Sequence, residues 1–232
     1  MEEIIENIKK FRDNLKANPN VEINEAEWKD FLELSNSSIQ WFIEDLEKIG
    51  KITVEPKDAS VLKFSSLTLK WKAKSQNYFL YGGFLINGIF EALSNPSTFW
   101  KIDFSLPSDA VVPDNLKHFE KLNWFEKQAW GDDWRYGCFV RGTKKFPPKI
   151  AFFDRNWYTL MDLSFEEYFK AMIASCAVKG WQYFYIDWNQ EIPHKKIALE
   201  DMELAVKALP ELFPKENFTY HINKLNEVKG IK

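Results

Sequence analysis

The chain has 232 residues, 45% hydrophobic and 28% charged, with a formal net charge of -3 and a pI near 5.8. This suits one large globular domain or two smaller ones with a sizeable core. It excludes a global field that would draw in nucleic acid or anionic lipid. In chain order, residues 1–57 read as helical. Ile4, Ile5, Ile8, Phe11 and Leu15 share one helix face. The Asn18-Pro19-Asn20 break follows, because proline moves the residue before it out of the helical region. A second helix is expected over residues 25–34. A third, capped by Ser37 or Ser38, would present Ile39, Phe42, Ile43, Leu46 and Ile49. Gly50 would end it before a short strand over residues 51–54.

Three helices and a strand resemble a winged-helix module, whose third helix would enter the DNA major groove. The charge opposes that role. Residues 1–57 hold 8 Lys and Arg against 13 Asp and Glu, and the candidate recognition helix shows Glu44, Asp45 and Glu47 against Lys48 alone. Duplex DNA carries one negative charge per about 1.7 Å and would repel that face. A helical lead-in that packs on the main domain, or meets a protein, is the simpler expectation.

Residues 58–190 are richer in aromatics. Leu67, Leu69 and Trp71 alternate with Thr68 and Lys70, the pattern of a strand half facing water. A second apolar run, 78–90, is interrupted by Gly82, Gly83 and Gly88, and glycines in a strand often mark close backbone approach. Residues 99–104 (FWKIDF) read as β, 115–128 as helical and 136–141 as a strand. The clearest stretch is 150–176. Residues 150–153 and 157–161 suit a pleated, half-buried surface, with Asp154, Arg155 and Asn156 turning the chain between them. Ser164 then caps a helix and Glu167 completes a capping box. Phe165, Tyr168, Phe169, Met172, Ile173 and Cys176 form its apolar face. Residues 197–212 read as a helix bent or ended near Pro210, and an amphipathic tail follows. The expected fold is α+β: a mostly antiparallel sheet with helices packed on it, preceded by an N-terminal helical segment. The expected divisions are 1–57, 58–190 and a C-terminal helical extension, 191–232.

No residue set has the spacing of a catalytic, metal or cofactor site. His118, His194 and His221 are scattered in polar segments, where histidines are usually at the surface. Cys138 and Cys176 form neither a disulfide framework nor a zinc motif. The 137–144 stretch (GCFVRGTK) has Thr before Lys and runs into Pro147-Pro148, so it is no phosphate loop. The neighbours Asp132 and Asp133, and Glu166 and Glu167, point in different directions and fit a solvated face. The amino terminus lacks the basic start and apolar core of a signal peptide. No run approaches the roughly 18 apolar residues that span a bilayer. A reduced, cytoplasmic protein is expected.

Residues 67–71 (LTLKW), 81–86 (YGGFLI) with Phe90, 136–141 (YGCFVR) with 150–154 (IAFFD), and 160–169 (LMDLSFEEYF) follow one another in an order that resembles the SUKH superfamily. This is the domain of Smi/Knr-type cell-wall regulators and of many bacterial immunity proteins. Residues 180–184 (GWQYF) resemble a common extension, and about half the chain is covered. The Leu-Pro pair and Asn-Gly that usually open the family are at best eroded here. The resemblance implies a non-enzymatic α+β protein that binds a cognate protein, a toxin in the immunity role, without metal or cofactor. Trp130, Asp132, Asp133 and Trp134 have the aromatic and acidic character of such a partner-binding face. DNA and membrane are not expected partners. The alternative is a winged-helix transcription regulator with an aromatic ligand-sensing domain.

Overall fold

Seven strands form one antiparallel sheet whose spatial order is the order of the chain. They are β1 (Val21–Asn24), β2 (Leu67–Ala73), β3 (Tyr81–Ile86), β4 (Leu122–Lys127), β5 (Arg135–Val140), β6 (Ile150–Asp154) and β7 (Trp157–Met161). The α-helices are α1 (Glu2–Ala17), α2 (Asn36–Asp45), α3 (Ile89–Ser94), α4 (Phe165–Ala174), α5 (Lys195–Leu212) and α6 (Thr219–Lys229). The computed structural model describes residues 2–24, 35–50, 52–63, 66–75, 77–94, 98–108, 110–130, 134–142 and 144–231. The class is therefore α+β, with an N-terminal helix, as the sequence predicts. The second helix expected over 25–34 lies outside the described residues.

The central strands are covered on both faces. On one face Phe125, Phe139, Ile150 and Phe152 meet Phe165, Tyr168 and Phe169 of α4. On the other, Leu122, Tyr136, Cys138, Ala151 and Phe153 lie under Trp100 and Phe119. All five residues of β6 are buried, not the half-buried surface expected, because two-sided cover turns strands into continuous apolar runs. The same cover explains two further departures. Residues 99–104, expected as β, are a 3-10 segment, Phe99–Phe104. Its rings lie on the sheet: Phe99 is 4.4 Å from Tyr136 and 5.0 Å from Phe153. Residues 115–128, expected as helix, divide into a 3-10 segment, Asp114–Lys121, and strand β4.

In the N-terminal part, α1 buries Ile4, Ile8, Phe11 and Leu15 and packs on α4 and β1. Val21–Asn24, within the stretch read as helical, is β1 and pairs with β2 from Val21↔Ala73 to Asn24↔Lys70. Helix α2 is capped by Ser35, two or three residues earlier than expected, whose Oγ accepts from Ser38 N at 3.2 Å. A π-helical turn, Leu46–Gly50, follows, and Ile49 is 59% exposed instead of sharing the apolar face. The wider turn breaks the three-and-four spacing on which that face depends. Of the strand expected over 51–54 there is an isolated parallel bridge, Thr53 with Lys145.

The capping box at Ser164 and Glu167 forms as the sequence predicts, with bonds of 3.2 and 2.8 Å. Pro210 sits inside the last turn of α5, which ends two residues on at Leu212. Strand β3 pairs with β4 only at Leu85↔Lys127 and Ile86↔Glu126. Its first half instead meets the turn after α4: Gly83 N donates to Ala177 O at 2.8 Å and Lys179 N to Tyr81 O at 3.1 Å.

Candidate functional site

The second core takes residues from β4 to β7 and none from β1, β2 or β3. Alternation along β2 sends Leu67, Leu69 and Trp71 into the main core, so Thr68, Lys70 and Lys72 face the other way. Opposite them in register are Leu85, Gly83 and Tyr81. This half of the sheet face carries a row of aromatic rings. Phe79 and Tyr81, two apart on one side of the chain, have centroids 5.9 Å apart, and Tyr81 is 5.4 Å from Trp130. Phe79 is 89% exposed; Tyr81 and Trp130 are half-buried. The Trp130 indole N–H donates to Gly82 O at 3.0 Å, which holds its ring against β3. Lys70 Nζ lies 5.9 Å from the Trp130 ring and Lys179 Nζ 5.9 Å from the Tyr81 ring. Cations over aromatic faces are mutually attractive and stiffen the row.

Of the four residues expected to meet a partner, Trp130 and Trp134 are described, and they lie in different surroundings. Trp130 joins this ladder with Tyr81 as its neighbour. Trp134 packs against the second core, and its carbonyl accepts from Arg155 N at 3.2 Å. Asp132 and Asp133 lie outside the described residues. Tyr81 and Phe79 were missed by sequence reading, although their spacing of two across the start of a strand was a usable signal.

Three buried polar groups lie apart from this row. Ser175 Oγ and His221 Nε2 are 2.9 Å apart, the distance of a nucleophile and its base. But Ser175 has no exposed surface, and its Oγ lies 2.7 Å from Ala171 O. Burial holds the imidazole pKa down to about 4, and Nδ1 has no hydrogen-bond partner. The pair is enclosed and joins α6 to the end of α4. His221, expected at the surface, is 2% exposed. Its spacing of three from Phe218 and four from Leu225 places it on the apolar face of α6.

The second group centres on Glu126, which is fully buried on β4. Its Oε2 accepts from Tyr168 OH at 2.8 Å and Gln182 Nε2 at 3.2 Å. Burial, reinforced by this carboxylate, pushes the Cys138 thiol well up and does the same to the Tyr168 phenol. Cys176 is likewise raised by burial, then by Glu216. Both cysteines are buried free thiols, protonated and unreactive.

The third group joins β5, β6 and α5. Arg135 Nη2 donates to Asp201 Oδ2 at 2.6 Å, its Nε lies 3.9 Å from Asp154 Oδ1, and Tyr183 OH donates to Asp154 Oδ2. Lys179 Nζ donates to Asp201 Oδ1 at 3.2 Å. Satisfied buried charges of this kind fix how elements meet.

His118 is exposed with its ring 4.1 Å from that of Phe119, and His194 Nε2 lies 3.4 Å from Asn156 Oδ1. Among the described residues no group of three His, Cys, Asp or Glu side chains could hold a metal ion, and no helix is long and apolar enough to cross a membrane. Fold and surface together define an α+β protein with a seven-stranded antiparallel meander and one aromatic, lysine-flanked half-face. No protein-family model matches the chain, nor does any curated protein or solved structure.

Proposed function

We propose that the protein is a non-enzymatic binding module that holds a cognate protein on the Phe79, Tyr81 and Trp130 ladder. The observation that carries this reading is the ladder itself. A phenyl ring 89% exposed, continued by two half-buried rings on a sheet face that the second core leaves uncovered, is apolar surface awaiting cover. Aromatic anchors held by a rigid strand lose little entropy on binding. Lys70 favours a partner that brings a carboxylate to the edge of its apolar contact, and such a charge mainly speeds encounter. The resemblance to SUKH domains, carried by residues in β2, β3, β5, β6 and α4, supports a cytoplasmic immunity role in which that partner is a toxin.

The test is capture of the partner from native lysate with the tagged chain, then titration of the purified partner against variants. Phe79→Ala removes an exposed ring and leaves the fold intact. It is expected to weaken binding about thirtyfold, as loss of an anchor worth about 2 kcal/mol does. Trp130→Ala is expected to act in the same direction. A partner whose affinity ignores both substitutions would overturn this surface. Specific turnover of a substrate by the pure chain would overturn the non-enzymatic reading.

A further inference from the structure

Helix α1 carries a second stripe beside its buried one. Asn7, Lys10 and Asn14 recur at steps of three and four, so they share a face, and Asn18 follows the helix end at the same step. This polar stripe is one wall of a cleft. The opposite wall is Lys170 and Ile173 of α4 and the turn that begins at Phe213. The cleft is made of two hollows, 330 and 430 Å³, that share Asn14, Phe213 and Glu216. One end is tied shut. Asn18 Nδ2 donates to Leu212 O at 2.9 Å and Asn20 Nδ2 to the same oxygen at 3.1 Å, which also satisfies a terminal carbonyl of α5.

The floor is apolar, with Phe11, Leu15 and Phe213 buried beneath it. The rim is polar: Lys10 and Lys215 stand beside Glu216, while Lys170 is already paired with Glu166 of its own helix. Asn7 and Asn14 each offer a planar donor and acceptor, the complement of a peptide unit. Seven helical residues rise about 10 Å at 1.5 Å each. Three residues of extended chain cover about the same length at roughly 3.3 Å each. The two amides are therefore spaced to meet peptide units three residues apart.

We propose that this cleft seats an extended peptide segment in which acidic side chains alternate with apolar ones. The apolar side chains take the Phe11 and Phe213 floor, the acidic ones reach Lys10 and Lys215, and the asparagines hold the main chain. A small free carboxylate would engage one lysine and leave the asparagine pair unused, so the length of the cleft favours a peptide. The assignment does not rest on the aromatic ladder, which is built from other elements.

The test is selection of a phage-displayed library of random dodecapeptides on the intact chain, followed by titration of the leading sequence as a free synthetic peptide. Selected sequences are expected to be enriched in Asp and Glu between apolar residues. The free peptide is expected to bind more weakly as salt rises. Asn14→Trp, which fills the cleft from an exposed position, is expected to weaken it about tenfold or more. Lys10→Glu is expected to weaken it by reversing one rim charge, and Phe79→Ala to leave it unchanged. Unaltered melting curves for Asn14→Trp and Lys10→Glu assign the loss to the cleft. A selection that returns nothing above background would overturn the proposal. So would a leading peptide indifferent to Asn14→Trp, or one that loses affinity in Phe79→Ala.

Discussion

The Trp71 indole nitrogen donates to the Cys176 carbonyl oxygen across 2.8 Å and ties β2 to the turn that leaves α4. Gly82 makes this approach possible. A Cβ at that position would sit 2.5 Å from Trp71 Cε2 and 2.6 Å from Ala177 O. Gly82→Ala must push the indole or the turn aside, and overpacking of this kind costs about 1–3 kcal/mol. The expected result is a lower urea midpoint than the parent. Equal midpoints would mean that the turn gives way without cost.

His221 makes stability depend on pH. The unfolded chain binds the imidazole proton near pH 6.5, whereas burial lowers the folded value to about 4. Between those values the unfolded state holds more protons, so stability falls as pH drops through that window and levels off below it. The full loss is about 3 kcal/mol, from 1.36 kcal/mol per pKa unit. Urea unfolding at a series of pH values measures it. His221→Gln should flatten the part of the slope due to this group, and an unchanged slope in that variant would refute the assignment.

Arg135 is 4% exposed and faces two carboxylates, Asp154 and Asp201. Arg135→Met leaves Asp154 without its cation and Asp201 with Lys179 alone. Breaking a buried pair from one side costs about 3–5 kcal/mol, because a charge stays buried without compensation. Adding Asp154→Asn should restore part of that loss. Thermal or urea unfolding of the single and double variants reads the coupling directly.

Ser164→Ala removes the side-chain acceptor that holds Glu167 N at the start of α4. The expected loss is about 1 kcal/mol, the usual worth of such a cap. Ser164→Asp should retain most of it, since a carboxylate also accepts that bond and suits a helix N-terminus.

The elements most legible in the sequence carry their own signals. The Ser164 box, the Leu67, Leu69 and Trp71 alternation and the Asp154 to Asn156 turn need no distant partner to be recognised. Strand β1 is only four residues long and exists by pairing with β2, more than forty positions away. Strand β4 buries residues on both faces, so its pattern has no period of two to read. Phe99 and Trp100 show β-like composition but serve as a lid on the sheet. For the proposed binding surface, Trp130 was legible as a partner-binding candidate by its residue type. Its true neighbour, Tyr81, is distant in sequence and could be joined to it only by the sheet.

Because every described strand lies beside its neighbours in chain order, the sheet can assemble by successive pairings as the chain leaves the ribosome. Helix α1 is the exception. It is made before α4, yet it rests on it, and the Asn18 side chain just after it bonds Leu212, 194 residues later. During synthesis that helix must wait with its apolar face uncovered until residues 165–213 have emerged. The α1 stretch is thus open to a holdase chaperone before α4 is made and is among the last to be locked in place.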